Sequence, residues 1–130
     1  MDLQIFKDFA VDTVKSSGKI LMSYFNSDYD IKKKSSIDLV TKADIESEKN
    51  IVNSIKKHFP NHKIIAEESD LIDTNSDFKW VIDPLDGTTN FVHSLPIFAI
   101  SIALQYKNKT ILGVVYNPAY NKCFWAIKDQ

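Results

Sequence analysis

Asp83 and Asp86, three residues apart in Trp80-Val81-Ile82-Asp83-Pro84-Leu85-Asp86-Gly87-Thr88-Thr89-Asn90-Phe91, are the side chains with the clearest chemical potential. The apolar run Trp80 to Ile82 reads as a strand that delivers Asp83 to its end. Pro84 has a fixed φ and no N–H, so the chain is predicted to turn there instead of extending the ladder. Asp86 then comes round within the same turn. Two carboxylates so placed can converge on one hard cation, which takes oxygen ligands at roughly 2.0–2.1 Å in the case of magnesium. The Leu85 carbonyl is a further candidate ligand. Gly87 can take dihedrals closed to other residues, and Thr88 and Thr89 can open a short helix whose free amides bind phosphate. One loop thus offers metal ligands on one side and an anion cradle on the other, the pairing that metal-assisted hydrolysis of a phosphate ester requires. Asp-Pro and Asp-Gly are also common structural turns. Two acids, Pro, Gly and two Thr within seven residues, directly after an apolar strand, favour the chemical reading.

Two further acidic groups are candidates. Glu67 and Glu68 follow Lys63-Ile64-Ile65-Ala66, so a second strand presents carboxylates at its end. Alternation sends the two side chains to opposite faces, with Glu67 toward the metal and Glu68 toward solvent or a structural partner; read alone, such a pair is more often a solvated loop. Asp38-Leu39-Val40-Thr41-Lys42-Ala43-Asp44 adds two acids and a hydroxyl ahead of a helix. There the macrodipole favours Asp44 whether or not it has a catalytic partner. His58, His62 and His93 receive no role, because a hard-cation site does not need imidazole.

These groups must be positioned by helices and strands. Leu3, Phe6, Ala10, Val14, Leu21 and Tyr24 mark one face of an amphipathic helix from Leu3 to Phe25. Tyr29 to Lys34 reads as a short strand turning at Ser35 and Ser36, with Lys32, Lys33 and Lys34 on a solvated hairpin face. A second helix is predicted to start at a capping-box arrangement of Thr41 and Asp44, to bury Ile45, Val52, Ile55 and Phe59, and to stop at Pro60. Lys63–Ala66, Trp80–Ile82, Phe98–Gln105, Thr110–Tyr116 and Lys122–Ile127 are β-branched or aromatic runs, hence strands. The last three are separated by connections of hairpin length, which predicts an antiparallel meander. Two helices followed by mostly antiparallel strands point to an α+β layer with the helices on one sheet face.

Composition agrees with one ordinary folded unit of 130 residues: 44% are hydrophobic and 25% charged. Sixteen Lys and Arg against seventeen Asp and Glu leave a formal charge of −1, so no nucleic-acid partner is implied. The lone Cys123 can form neither an internal disulfide nor a thiolate metal site, which suits a reducing cytoplasm. Charges at positions 2, 7 and 8 interrupt any signal-peptide core, and no run reaches membrane-spanning length.

Three motifs in order, Asp38-Leu39-Val40-Thr41 through Asp44, then Ala66-Glu67-Glu68-Ser69, then Trp80 through Phe91 with His93, make the chain resemble the inositol monophosphatase family of metal-dependent, lithium-sensitive phosphatases. The resemblance runs along the whole chain. It implies that Glu67, Asp83, Asp86 and the Leu85 main-chain oxygen hold catalytic Mg2+, while the Gly87 and Thr88 amides receive the substrate phosphate. It also implies that Thr88 orients the attacking water, that Asp44 partners the Thr88 hydroxyl, and that Glu67 assists water activation. Lys34 falls near the family's lysine in the metal-site hairpin. The Gly87-Thr88-Thr89-Asn90-Phe91 run is similar to the inositol monophosphatase branch, which implies a small phosphorylated polyol as substrate, with histidinol phosphate or fructose 1,6-bisphosphate as alternatives. A homodimer is a further implication. Family members are about twice as long, and their second half brings a Trp-Asp motif with another metal-ligating aspartate. The chain is therefore expected to be the N-terminal metal- and phosphate-binding portion, residues 1–130, of the family's αβαβα sandwich, truncated before the second sheet. It is either the front half of an enzyme or a remnant that binds metal or phosphate without turnover.

Overall fold

The structure, a computed structural model, describes residues 2–25, 33–66 and 69–130. Its elements are α1 (Leu3–Phe25), α2 (Lys33–His58), β1 (Lys63–Ala66), β2 (Ser69–Ile72), β3 (Phe78–Asp86), α3 (Thr88–Val92), β4 (Ala99–Tyr106), β5 (Lys109–Asn117) and β6 (Lys122–Ile127). The strands form one sheet in the order β2-β1-β3-β4-β5-β6. β3 to β6 are an antiparallel meander. Its β4–β5 hairpin turns through Lys107 and Asn108, both at positive φ (50° and 66°), as a tight two-residue connection requires.

β1 departs from this pattern, because it lies parallel to β3, with Ala66 opposite Ile82, and the sheet is mixed. β2 folds back on the far side of β1 before the chain enters β3. The consequence is positional: parallel strands run to the same edge, so Ala66 and Ile82 arrive there side by side.

Helices α1 and α2 cover one face of the sheet. On that face Ile64, Trp80, Ile82, Ile102, Leu104 and Val114 meet Val14, Leu21, Ile51 and Ile55, all at most 2% exposed. Burial of each such large side chain contributes about 1.5–3 kcal/mol relative to exposure, which makes this layer the main source of stability. Gly18 lets α1 sit close to β5: a methyl added there would lie 2.5 Å from Tyr116 Cε2, so the residue is kept despite a helix-propensity cost of about 1 kcal/mol. The alternate residues Val81, Ser101 and Ala103 on the opposite face are only half-buried, and Val115 and Phe124 are exposed. Among the described residues no helix is long and apolar enough to cross a membrane.

Three expectations are corrected. Lys33 and Lys34 belong to α2 and not to a hairpin strand, and Thr41 and Asp44 lie well inside that helix, so they do not cap its start. No Gly or Pro occurs between Lys19 and Phe59 to break a helix, and Ser, Thr and Asp are tolerated in helix interiors as well as favoured at caps. The rest of the expected strand, Tyr29 to Lys32, lies outside the described residues. At Pro84 the chain does not leave the sheet: β3 continues to Asp86, and the ladder with β4 absorbs the proline by shifting register between Asp83↔Ser101 and Asp86↔Ala99. That is a bulge, one of the places where a strand accepts proline. Finally, Ser69–Ile72 forms the edge strand β2, which the polar sequence Ser-Asp-Leu-Ile did not signal.

An aromatic cluster ties the end of α2 to β3. His62 stacks on Phe59 (4.9 Å between ring centroids) and on Phe78 (4.6 Å), and its Nδ1 accepts a 3.0 Å hydrogen bond from Nε1 of the fully buried Trp80. Protonation of Nδ1 would abolish that acceptor, and burial lowers the His62 pKa from 6.5. The unfolded chain therefore binds this proton more tightly. Stability is complete above pH 6.5 and declines as pH falls through that value toward the lower folded pKa. The thermal unfolding midpoint is expected to drop between about pH 7.5 and about pH 5.5. His62→Gln, which retains an acceptor but does not titrate, should flatten the drop; equal slopes for both proteins would contradict the assignment.

Candidate active site

The parallel pairing of β1 with β3 and the passage of α2 behind them leave a cavity of about 290 Å³ at the end of the sheet. It is lined by Asp44 and Glu48 from α2, Ala66 from β1, Ile82, Asp83, Pro84, Leu85 and Asp86 from β3, and Gly87 and Thr88 at the start of α3. Each element has a sequence reason to be there. Trp80, Ile82, Pro84 and Leu85 are buried and root β3 in the core, while Asp83 is half-buried and Asp86 exposed. The bulge compresses the spacing of the two aspartates along the ladder, so three chain steps on β3 match two on β4. Within it the Leu85 N–H donates to Asp83 Oδ1 at 3.3 Å, which orients that carboxylate.

Gly87 takes φ 89° and ψ 39°, left-handed dihedrals that reverse the chain from strand into helix. The first bond of α3 runs from the Phe91 N–H to the Gly87 carbonyl at 3.0 Å. Helix geometry leaves the Thr88, Thr89 and Asn90 amides without intrahelical acceptors, and no side chain caps this terminus. Asn90 braces the far side by donating from Nδ2 to the Ile97 carbonyl at 2.8 Å.

Of the residues singled out from sequence, Asp44, Asp83, Leu85, Asp86, Gly87 and Thr88 line this one cavity. Glu67 and Glu68 lie outside the described residues; β1, which leads to them, ends at Ala66 on the cavity wall. The Lys34 side chain also lies outside the described residues. Asp38 is exposed on α2 and does not line the cavity, and His93 closes α3 from an exposed position. Glu48 is the acidic lining residue that sequence reasoning missed. The signal available was its spacing of four from Asp44, which places both on one face once α2 is seen to be continuous.

The candidate donors are carboxylates and a main-chain carbonyl, with no basic residue among the described residues of the lining, and hard cations prefer such oxygen ligands. Among the described residues no group of three or more His, Cys, Asp or Glu side chains is gathered closely enough to hold a metal ion. Asp83, Asp86 and the Leu85 carbonyl are oxygen donors of the type a hard cation takes, and by themselves they are short of a full acidic cluster.

The inositol monophosphatase family model matches residues 2–130. The Nus factor SuhB of Pasteurella multocida is 41% identical over 126 residues, covering 95% of this chain and 47% of its own. Inositol monophosphatase 2 of Solanum lycopersicum is 40% identical over 130 residues, covering 96% of this chain and 49% of its own. The crystal structure of the extragenic suppressor protein suhB from Bartonella henselae superposes with a TM-score of 0.85 at 34% identity, over 96% of this chain and 49% of that one. The chain spans about half the length of the curated relatives it matches.

The left-handed Gly87 gives a direct test of the loop. A Cβ there would sit 3.0 Å from the Ile97 carbonyl oxygen and 3.2 Å from Phe98 Cα, in a backbone conformation that side chains rarely adopt. Gly87→Ala should cost about 1–3 kcal/mol in urea unfolding. Gly113→Ala, where an added Cβ meets nothing within 4 Å, should be neutral or slightly stabilising. Equal behaviour of the two variants would contradict the described loop.

Proposed function

The chain belongs to the inositol monophosphatase family, and on that footing we propose that it carries the metal- and phosphate-binding half of a magnesium-dependent phosphomonoesterase acting on a small phosphorylated polyol, inositol monophosphate foremost. The observation that supports this reading most strongly is the single cavity shared by Asp83, Leu85, Asp86, Gly87, Thr88 and Asp44.

In this reading Asp83, Asp86, the Leu85 carbonyl and Glu67 hold Mg2+. Bound there, the cation supplies Lewis acidity, an acidified water and charge neutralisation for the phosphate. The residues of the chain do the rest. The Gly87 and Thr88 amides grip the phosphate oxygens at the start of α3, as helix termini do for anions. The Thr88 hydroxyl orients the attacking water, with Asp44 as its partner, and Glu67 assists in activating that water. The phosphoryl group passes directly to water, without a covalent enzyme intermediate. Lithium inhibition, a cytoplasmic setting and a homodimer belong to the same proposal.

A second reading follows from the half-length match to relatives, some of them named Nus factors: a module that binds cation, phosphate or a partner without turnover. Phosphate release from inositol 1-phosphate, with histidinol phosphate and fructose 1,6-bisphosphate in parallel, separates the two. Release should require Mg2+, and Asp83→Asn should reduce it by more than the roughly 10–100-fold that loss of an outer-shell partner costs. Cation binding without any release would favour the module. Neither binding nor release would remove both readings of the site.

A further inference from the structure

Ser47 is fully buried on α2, about three turns before the helix ends at His58, and its hydroxyl donates a 2.8 Å hydrogen bond to the Pro84 carbonyl. That carbonyl sits inside the bulge, between the Asp83↔Ser101 and Asp86↔Ala99 pairs, where the β3–β4 ladder is out of step. A buried main-chain oxygen at such a place needs a donor from elsewhere. Ser47 supplies it, and the bond fixes the peptide plane that separates the two aspartates.

Ser47 is itself held from behind. Its carbonyl accepts a 3.2 Å bond from the hydroxyl of Ser17 on α1, which is also fully buried. Asn50, one turn further along α2, donates from Nδ2 to Ser17 Oγ at 2.9 Å and to Ser16 Oγ at 2.8 Å. These bonds set the rotation of α2 against α1. The same rotation that aims Ser47 at Pro84 presents its neighbours Asp44 and Glu48 to the cavity.

We propose that Ser47 is a positioning residue: it holds the Asp83-Pro84-Leu85-Asp86 bulge in the shape that lets both carboxylates share a cation, with Ser17 and Asn50 locking the helix behind it. The link to the cation rests on the function proposed above; the link to the bulge does not.

The test uses the chain with Ser47→Ala and Ser47→Thr, the second retaining a hydroxyl. In metal-free protein, amide exchange resolved by NMR should speed up at Leu85 and Asp86 in Ser47→Ala by on the order of 10- to 100-fold, as loss of a buried hydrogen bond implies. Amides of β5 and β6 should be unaffected, and Ser47→Thr should restore the wild-type rates. Calorimetric titration with Mg2+ should show several-fold weaker binding for Ser47→Ala and recovery for Ser47→Thr. Exchange that is unchanged at the bulge, or raised equally throughout the sheet, overturns the positioning role. A local exchange response in a chain that binds no Mg2+ upholds the role of Ser47 in shaping the bulge and overturns the cation reading alone.

Discussion

Among the described residues four carboxylates, Asp44, Glu48, Asp83 and Asp86, line one cavity whose wall holds no basic residue, and their mutual repulsion constrains the rest of the structure. Two like charges roughly 4 Å apart at an effective dielectric of about 20 repel by about 4 kcal/mol, and separation or solvent lowers this without removing it. A folded chain tolerates such a concentration of charge when the groups are spread around an open, wet cavity, or when a cation neutralises them. The same field repels phosphate. In the proposed function a positive ion beside the Gly87–Thr88 amides offsets that repulsion.

The scaffold resists that repulsion by rooting each acid in the packed layer behind it. Asp83 and Asp86 flank Pro84 and Leu85, both buried, and β3 carries Trp80 and Ile82 into the buried core. Asp44 and Glu48 ride on α2, which Ser17, Ser47 and Asn50 fasten to α1 and to the bulge. Hydrophobic burial thus supplies the stability, and a few buried hydrogen bonds supply the geometry. The opposite face of the sheet, where Val115 and Phe124 are exposed, contributes little to either.

Much of this was legible from sequence where periodicity was strong. The spacing of three and four in α1 and the β-branched runs of β1 and β3 to β6 led to the right elements, because burial on one face leaves a repeating pattern. Gly87 was read as free to take dihedrals closed to other residues just ahead of a short helix opened by Thr88, and it does take left-handed dihedrals there. The start of α2 was misread because Thr41 and Asp44 look like a cap, and only the absence of a helix breaker upstream argues otherwise. Pro84 was read as a stop, yet a bulge can absorb a missing donor, and that depends on β4, far away in the chain. Glu48 and Ser47 escaped notice for the same reason: their roles exist only once α2 is laid against β3. The acidic and glycine-threonine motif was readable locally, whereas its supporting bonds are tertiary. Glu67, named from sequence, stays outside the described residues.

Diffraction from crystals of the chain grown with Mn2+, an anomalous scatterer that takes the same oxygen ligands as Mg2+, would locate the cation among these groups. An anomalous peak is expected within coordination distance of the Asp83 and Asp86 carboxylates and the Leu85 carbonyl, with Glu67 completing the set. A peak elsewhere, or a Glu67 carboxylate turned away from an ion held by the two aspartates, would contradict the proposed site.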